Sequence, residues 1–286
     1  MKRAAIVMAV LGVCAWGFAK SSFAQSNDKP AQNPPAGQAA AAAPQGKRPP
    51  QAKTRPEYDA YNAARQLTDP AAVEKAADDF AAKFPDSELR VMLYKSAMQK
   101  YQGANNADKM LEMAHKALSL DPDDPEALVG VAQVLSERTR ETDLDRDQRL
   151  DEAKKDARRA LVTVDTDIPT SGYPPEALKS YKGFLVSEAY AVLGKLASDA
   201  KNWPEAETDL KKSIEALPDQ PDSIAVFRLA VALDMQNKIP EALKYANQAV
   251  DLTKDRPDSP AGKAARDEQD RLTKLSAGTA PGAPKN

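Results

Sequence analysis

The stretch 203–218, "WPEAETDLKKSIEALP", decides the fold, because the stretch 239–254, "IPEALKYANQAVDLTK", lines up with it at an offset of 36 residues. Both stretches open with a large apolar residue followed by Pro-Glu-Ala. The match continues upstream, where "AYAVLGKLASDAKN" at 189–202 faces "AVFRLAVALDMQNK" at 225–238. Self-similarity at such a period is typical of stacked structural repeats.

Each repeat is predicted to be a pair of helices. Ala, Leu, Lys and Glu dominate after residue 55, which is a helical composition. Proline follows Asp69, Asp124, Trp203 and Ile239, at positions where a helix start tolerates its missing N–H group. In the first two cases the aspartate is a plausible N-cap. No run shows the alternation of strands bounded by hairpin turns, so we expect an all-α chain.

Two antiparallel helices cannot bury an apolar face alone, but stacked pairs can. Small residues at Gly194 and Ala206 would let the helices approach closely, while Leu193, Leu210 and Ile214 fill the space between them.

Residues 187–218 resemble a tetratricopeptide repeat. In that pattern Tyr190 takes the first aromatic site, Leu193-Gly194 the Leu-Gly pair, Ala206 the small residue of the second helix and Pro218 the closing proline. Ser213 stands where alanine is usual. The unit 223–254 repeats the pattern with Ala230 in the glycine position and with Ala242 and Ala249 as the small residues.

The resemblance covers most of residues 56–254 and implies an α-solenoid of antiparallel helix pairs, a tetratricopeptide superhelix with a C-terminal capping helix. The folded domain is predicted to span 55–276, with units at about 56–86, 87–122, 124–165, 175–218 and 223–254 and a cap at 259–276. Two insertions, around 137–150 and 164–176, interrupt the pattern.

The N-terminus has the three parts of a bacterial secretory signal peptide, predicted over 1–24: Lys2 and Arg3, an apolar run over 4–19, and Ser22-Phe23-Ala24 before the cleavage point. A periplasmic or secreted protein is therefore expected. An uncleaved membrane anchor is the alternative, although the run is shorter than the roughly 20 residues that span a bilayer. A lipidated Cys14 is disfavoured by the bulky Val13.

Low-complexity segments flank the domain. Residues 25–54 are rich in Pro, Ala and Gln, and 277–286 have a similar composition, so we predict a disordered linker and a disordered tail. Cys14 is the only cysteine, and removal of the signal peptide would leave no thiol for a disulfide, a nucleophile or a metal.

Little in the sequence supports catalysis or a cofactor. The only histidine, His115, has no nucleophile motif and too few partner ligands for zinc, so a structural or surface role is expected. The run 143–147, "DLDRD", suggests a calcium loop, but Gln148 and Lys154 occupy the places of the required Gly and Glu. The net charge of -2 gives no reason to expect nucleic acid. We expect no enzyme activity, cofactor, metal or small-molecule substrate.

The resemblance implies that first helices of successive units line a concave groove that binds a protein or peptide. The candidate groove residues are Lys95, Gln99, Leu128, Ala132, Leu135, Lys195, Phe227, Val231 and Asp234. Interhelical packing is the alternative role for the apolar ones. Of the carboxylate clamp that some family members use, only Lys95 is matched, so that clamp is not expected.

The function expected from these patterns is a non-catalytic interaction scaffold of the bacterial cell envelope. The alternative is a structural accessory of outer-membrane or cell-wall assembly, tethered by an uncleaved N-terminal segment.

Overall fold

A computed structural model describes residues 47–278, and these residues form helices and no strand. In chain order the helices are α1 (Arg55–Arg65), α2 (Pro70–Lys83), α3 (Arg90–Gly103), α4 (Ala107–Leu120), α5 (Pro125–Arg138), α6 (Arg146–Thr163), α7 (Pro175–Asp199), α8 (Trp203–Ala216), α9 (Ser223–Asp234), α10 (Ile239–Thr253) and α11 (Pro260–Gly278). The predictions for 1–24 and 25–46 and most of the predicted tail lie outside the described residues.

The helices pack as successive pairs. Each odd-numbered helix from α1 to α9 contacts the even-numbered helix that follows it, and each even-numbered helix contacts the first helix of the next pair. First helices also contact one another, from α1 against α3 to α9 against α11. This arrangement confirms the predicted all-α solenoid of helix pairs. The first helices form its inner layer.

Helix starts follow the proline and aspartate signals. Asp69 accepts a hydrogen bond from the Ala72 amide at 2.8 Å, and Asp124 accepts one from the Ala127 amide at 2.9 Å. Both predicted N-caps are therefore present, and each satisfies an amide that a helix start leaves without a partner. At the start of α1, Thr54 and Glu57 form a capping box.

Three of the turns within pairs close in the same way. Asn105, Lys201 and Asn237 each have φ between 54° and 59°, in the left-handed region. The amide that follows each of them donates to the carbonyl five residues earlier, as from Asn202 to Ala197 at 2.8 Å. This bond is the one that ends a helix in a Schellman motif, and its recurrence shows that the pairs are copies of one unit. The α5–α6 connection departs from it, because the predicted insertion lies there.

The α7–α8 pair shows why the repeat needs small residues. A Cβ atom placed on Gly194 would lie 2.6 Å from Cγ of Leu210, so only glycine allows the two helices to come this close. Deeper in the same interface, the hydroxyl groups of Ser187 and Ser213 are 3.3 Å apart and fully buried. Ser213 thus fills the place of the usual alanine and finds a polar partner.

The last helix closes the stack. On α11 the buried residues are Gly262, Ala265 and Leu272, while most of the rest of the helix is polar and partly or fully exposed. Arg271 joins α11 to Asp234 of α9 through an ion pair of 2.5 Å. The predicted capping helix is confirmed, and it runs two residues further than predicted, to Gly278.

At the other end, residues 47–54 are non-helical and bonded to the array. The Lys47 amide donates to the Thr166 carbonyl at 2.9 Å, and the Lys53 ammonium donates to the Asp86 carbonyl at 2.7 Å. These eight residues belong to the predicted disordered linker, so its final part differs from the prediction because side-chain and backbone partners on the array hold it. Among residues 47–278 no helix combines the length and the apolar character needed to cross a membrane.

Candidate functional site

The inner layer of first helices encloses a groove. Four of these helices, α3, α5, α7 and α9, border one cavity of about 310 Å³. Helices α3 and α9 belong to the second and fifth pairs, so the array must curve for both to reach the same cavity. The groove is the concave surface on which a solenoid of this kind can hold an extended ligand.

The groove residues follow helical spacing. From α7 come Phe184, Glu188, Ala191, Val192 and Lys195, at intervals of three, four or one residues along one face. The other helices supply Gln99, Gln102 and Gly103 (α3), Gln133, Ser136 and Glu137 (α5), and Asp222, Ile224 and Arg228 (α9 and its N-cap). Most of these positions were missed from the sequence. Their polar stripes at i, i+3 and i+4 within otherwise apolar first helices are the signal that would have found them.

Apolar and charged groups lie side by side in this groove. Ile224 is 44% exposed, and Phe184 contributes a partly buried ring. Within residues 47–278 the Arg228 guanidinium makes no ion pair, whereas Lys195 pairs with Asp199 on its own helix. The carboxyl side chains of Glu137, Glu188 and Asp222 border the same cavity, so the groove presents both signs of charge. The planar guanidinium of Arg228 has the geometry to bind an anionic group of a ligand in bidentate fashion.

A buried polar network lies beside the groove. The Lys95 ammonium of α3 is 2.8 Å from Asp124 and 2.9 Å from Glu126, at the start of α5. Glu126 also accepts hydrogen bonds from Gln99 and from the Tyr181 hydroxyl of α7, the latter at 2.7 Å. One carboxylate therefore ties together three successive first helices.

The network favours the charged forms of Glu126 and Lys95, whereas burial raises the pKa of Asp124. Burial acts to raise the pKa of Glu126, but the Lys95 ammonium and the hydrogen bonds from Gln99 and Tyr181 lower it overall. Burial acts to lower the pKa of Lys95, yet the carboxylates of Asp124 and Glu126 raise it well above its usual value. Lys95 is thus a charged structural residue, and a ligand in the groove would meet it only by breaking these bonds.

The nine sequence-predicted residues divide into three groups. Gln99 and Lys195 line the groove, and Lys95 lies buried beside it. Leu128, Ala132 and Leu135 are at most 3% exposed and pack between helices, which is the alternative role that the sequence left open for them.

The third group is on α9. Phe227 packs with Val226, Ala249 and Ala265, toward the last two helices. Asp234 pairs with Arg271 of α11, and Val231 is partly buried on the same helix. The structure therefore brings only two of the nine side chains together in the groove. The side of a first helix that faces its neighbour cannot be told from the side that faces the groove by repeat position alone.

The two other chemical candidates are ordinary surface features. His115 is 46% exposed at its side chain, and its Nε2 atom is 3.1 Å from a Glu152 carboxylate oxygen. In the insertion, Asp143 accepts a hydrogen bond from the Arg140 amide at 2.9 Å. No group of metal-ligating side chains is gathered anywhere in 47–278.

Known proteins give a limited comparison. Neither a protein-family model nor a curated protein matches the sequence. A similar solved structure is YrrB, described as a TPR protein with an unusual peptide-binding site, at 16% identity and a TM-score of 0.45 over 71% of this chain and 87% of that one.

Two further structures are similar. The assembly chaperone of RpL4, Acl4, matches at 14% identity and a TM-score of 0.39 over 79% of this chain and 99% of its own. The Cut9-Hcn1 structure of APC/C matches at 11% identity and a TM-score of 0.34 over 74% of this chain and 48% of that one. Because these identities and TM-scores are low, the fold assignment rests on the helix packing of this chain itself.

Proposed function

We propose that this protein is a non-catalytic scaffold that binds a peptide or protein segment in the groove bordered by α3, α5, α7 and α9. The observation that carries the proposal is the curvature that brings four first helices around one cavity. The lining supports it, because apolar and polar groups alternate there as in surfaces that accommodate a peptide backbone and its side chains.

The ligand is expected to combine an apolar side chain with an acidic group. Phe184 and Ile224 offer the apolar contact, and Arg228, one helical turn from Ile224, offers the cation. The acidic group can be a side-chain carboxylate or a chain terminus. Arg228 supplies both charge and a geometry that selects a planar anion.

The expected place of action is the bacterial cell envelope, on the basis of the predicted signal peptide at 1–24. The alternative is a tethered accessory of envelope assembly that keeps residues 1–24. The mass of the intact protein purified from its own cells decides between them, because cleavage before Gln25 removes a defined mass.

The groove is tested by charge reversal. Proteins crosslinked to the wild-type chain in extracts of the producing cells are compared with those recovered by Arg228→Glu, and with those recovered by Lys155→Glu as a matched control. Lys155 is exposed on α6, a second helix, and does not border the groove.

Loss of a charge-assisted contact of about 1.5–3 kcal/mol weakens binding by roughly tenfold or more. Arg228→Glu should therefore deplete the recovered partner, while Lys155→Glu should not. Equal recovery by both variants would refute the groove as the binding site.

A further inference from the structure

The segment 47–54 touches turns that belong to different helix pairs. These turns are 84–89 between α2 and α3, 121–124 between α4 and α5, and 164–174 between α6 and α7. All three connect the second helix of one pair to the first helix of the next, so they lie along the same edge of the array. We call this edge the turn edge.

The contacts at the turn edge are mainly between cations of the segment and oxygen atoms of the turns. The Lys47 ammonium is 2.6 Å from Asp121 and 3.6 Å from Asp167, which belong to two different turns. Arg48 pairs with Glu88, and the Gln51 amide donates to the same carboxylate at 3.4 Å. Lys47 thus bridges two of the turns, and Arg48, Gln51 and Lys53 bind the third.

Long side chains of neighbouring residues join the turns. Lys47 reaches Asp121 and Asp167, and Arg48 reaches Glu88, so two adjacent residues contact all three turns. Pro49 and Pro50, between the charged residues, favour a stiff extended conformation that loses little entropy when it docks.

We propose that the turn edge is an interaction surface for a basic, proline-containing extended segment, and that residues 47–53 occupy it within this chain. The docked segment braces the second, third and fourth pairs from outside the groove.

Because its ion pairs are exposed to solvent, the segment 47–53 can dissociate from the turn edge and bind again. The side chains of Lys47 and Arg48 are 41% and 64% exposed, so dissolved salt screens their attraction to the turn carboxylates. Partial burial acts to lower the pKa of Lys47, but the hydrogen bond to Asp121 and the nearby carboxylates raise it, so charge loss at neutral pH does not release the segment.

Hydrogen exchange at the Lys47 amide tests the brace, because that amide is bonded to Thr166 only when the segment is docked. In the full chain, Lys47→Glu should lower the protection factor of this amide by up to about fivefold, the upper range for loss of an exposed ion pair. Adding Asp121→Lys should restore most of the protection. The matched control is Lys75→Glu, which breaks an exposed pair with Asp79 on α2 and should leave the segment protected.

Two further measurements separate the parts of the proposal. A carbodiimide, which joins an ammonium to a contacting carboxylate, should couple Lys47 to Asp121 or Asp167 at low salt and much less at high salt. Pro49→Gly with Pro50→Gly should reduce protection while keeping every charge. Wild-type exchange at the rate of an unfolded peptide, or a Lys47→Glu effect that Asp121→Lys does not reverse, would overturn the proposal.

Discussion

The close approach of α7 and α8 predicts that Gly194→Ala destabilises the array. The added Cβ atom would lie 2.6 Å from Cγ of Leu210, 2.8 Å from its Cδ2 and 3.2 Å from its backbone nitrogen. A branch-point carbon and a backbone atom cannot rotate away, so the helices must separate. Overpacking of this kind costs about 1–3 kcal/mol. Alanine regains about 1 kcal/mol of helix propensity, which leaves a net loss of up to about 2 kcal/mol.

The assay is urea unfolding followed by circular dichroism, with Gly103→Ala as the matched control. Gly103 also lies in a helix, but an added Cβ atom would meet nothing within 4 Å. The control should therefore be neutral or stabilised by up to about 1 kcal/mol. Opposite signs for the two substitutions isolate the contact with Leu210 from the general preference of helices for alanine.

The next repeat suggests the rescue. At the offset of 36 residues, Ala230 corresponds to Gly194 and Ala246 to Leu210, and both alanines are fully buried. Leu210→Ala alone should cost about 2–5 kcal/mol because it leaves a cavity. With Gly194→Ala added, the pair becomes the alanine pair of the next unit, and the double variant should cost about 1–2 kcal/mol less than the sum. Additive costs, or a Gly194→Ala protein stabilised above the wild type, would refute this account of the packing.

Four further substitutions test the electrostatics and the turns. Two lysines and a glutamine bind Glu207 and lower its pKa to about 2. Its contribution to the free energy of unfolding is therefore present above pH 5 and lost as pH falls toward 2. In unfolding experiments Glu207→Gln should cost about 2 kcal/mol at pH 7 and nothing at pH 2. Burial and Glu152 raise the pKa of Asp156 to about 6, so the charged carboxylate destabilises the fold at pH 7. Asp156→Asn should therefore stabilise the fold by about 1 kcal/mol at pH 7, and this gain should vanish as pH falls through 6 toward 4. Lys201→Gly relieves a left-handed backbone and should raise stability by about 0.5–1 kcal/mol, measured as an increase in Tm; a decrease would contradict the turn geometry. Lys95→Met leaves two buried carboxylates without their cation and should cost about 3–5 kcal/mol in urea unfolding, whereas a loss below 1 kcal/mol would show that the network is dispensable.

The helix pairs could be predicted from the sequence because their signals are local. Asp69 and Asp124 mark helix starts, and the match between 203–218 and 239–254 sets the period. The capping helix followed from a stretch with only a few large apolar residues after the last repeat. These features depend on backbone hydrogen bonding and on which residues can be buried, and both are readable from neighbouring residues.

The groove could be predicted only in outline. Knowing that the groove lies on first helices does not reveal which side of each helix faces the cavity, because the superhelical curvature sets how each helix is rotated relative to the cavity. Lys95 is an example: its position suggested a ligand contact, yet two carboxylates from the next pair enclose it. The docked segment 47–54 was missed because its composition indicates disorder, and its partners are as many as 120 residues away in the sequence, at Asp167.

The most direct test of the scaffold function is site-specific photocrosslinking in the producing cells. A photoreactive amino acid replaces Gln133 or Ile224, which border the groove, or Val162, which is 65% exposed on the second helix α6. Groove binding predicts a crosslinked partner from positions 133 and 224 and none from 162. A partner crosslinked only from 162, or from neither groove position, would contradict the proposal.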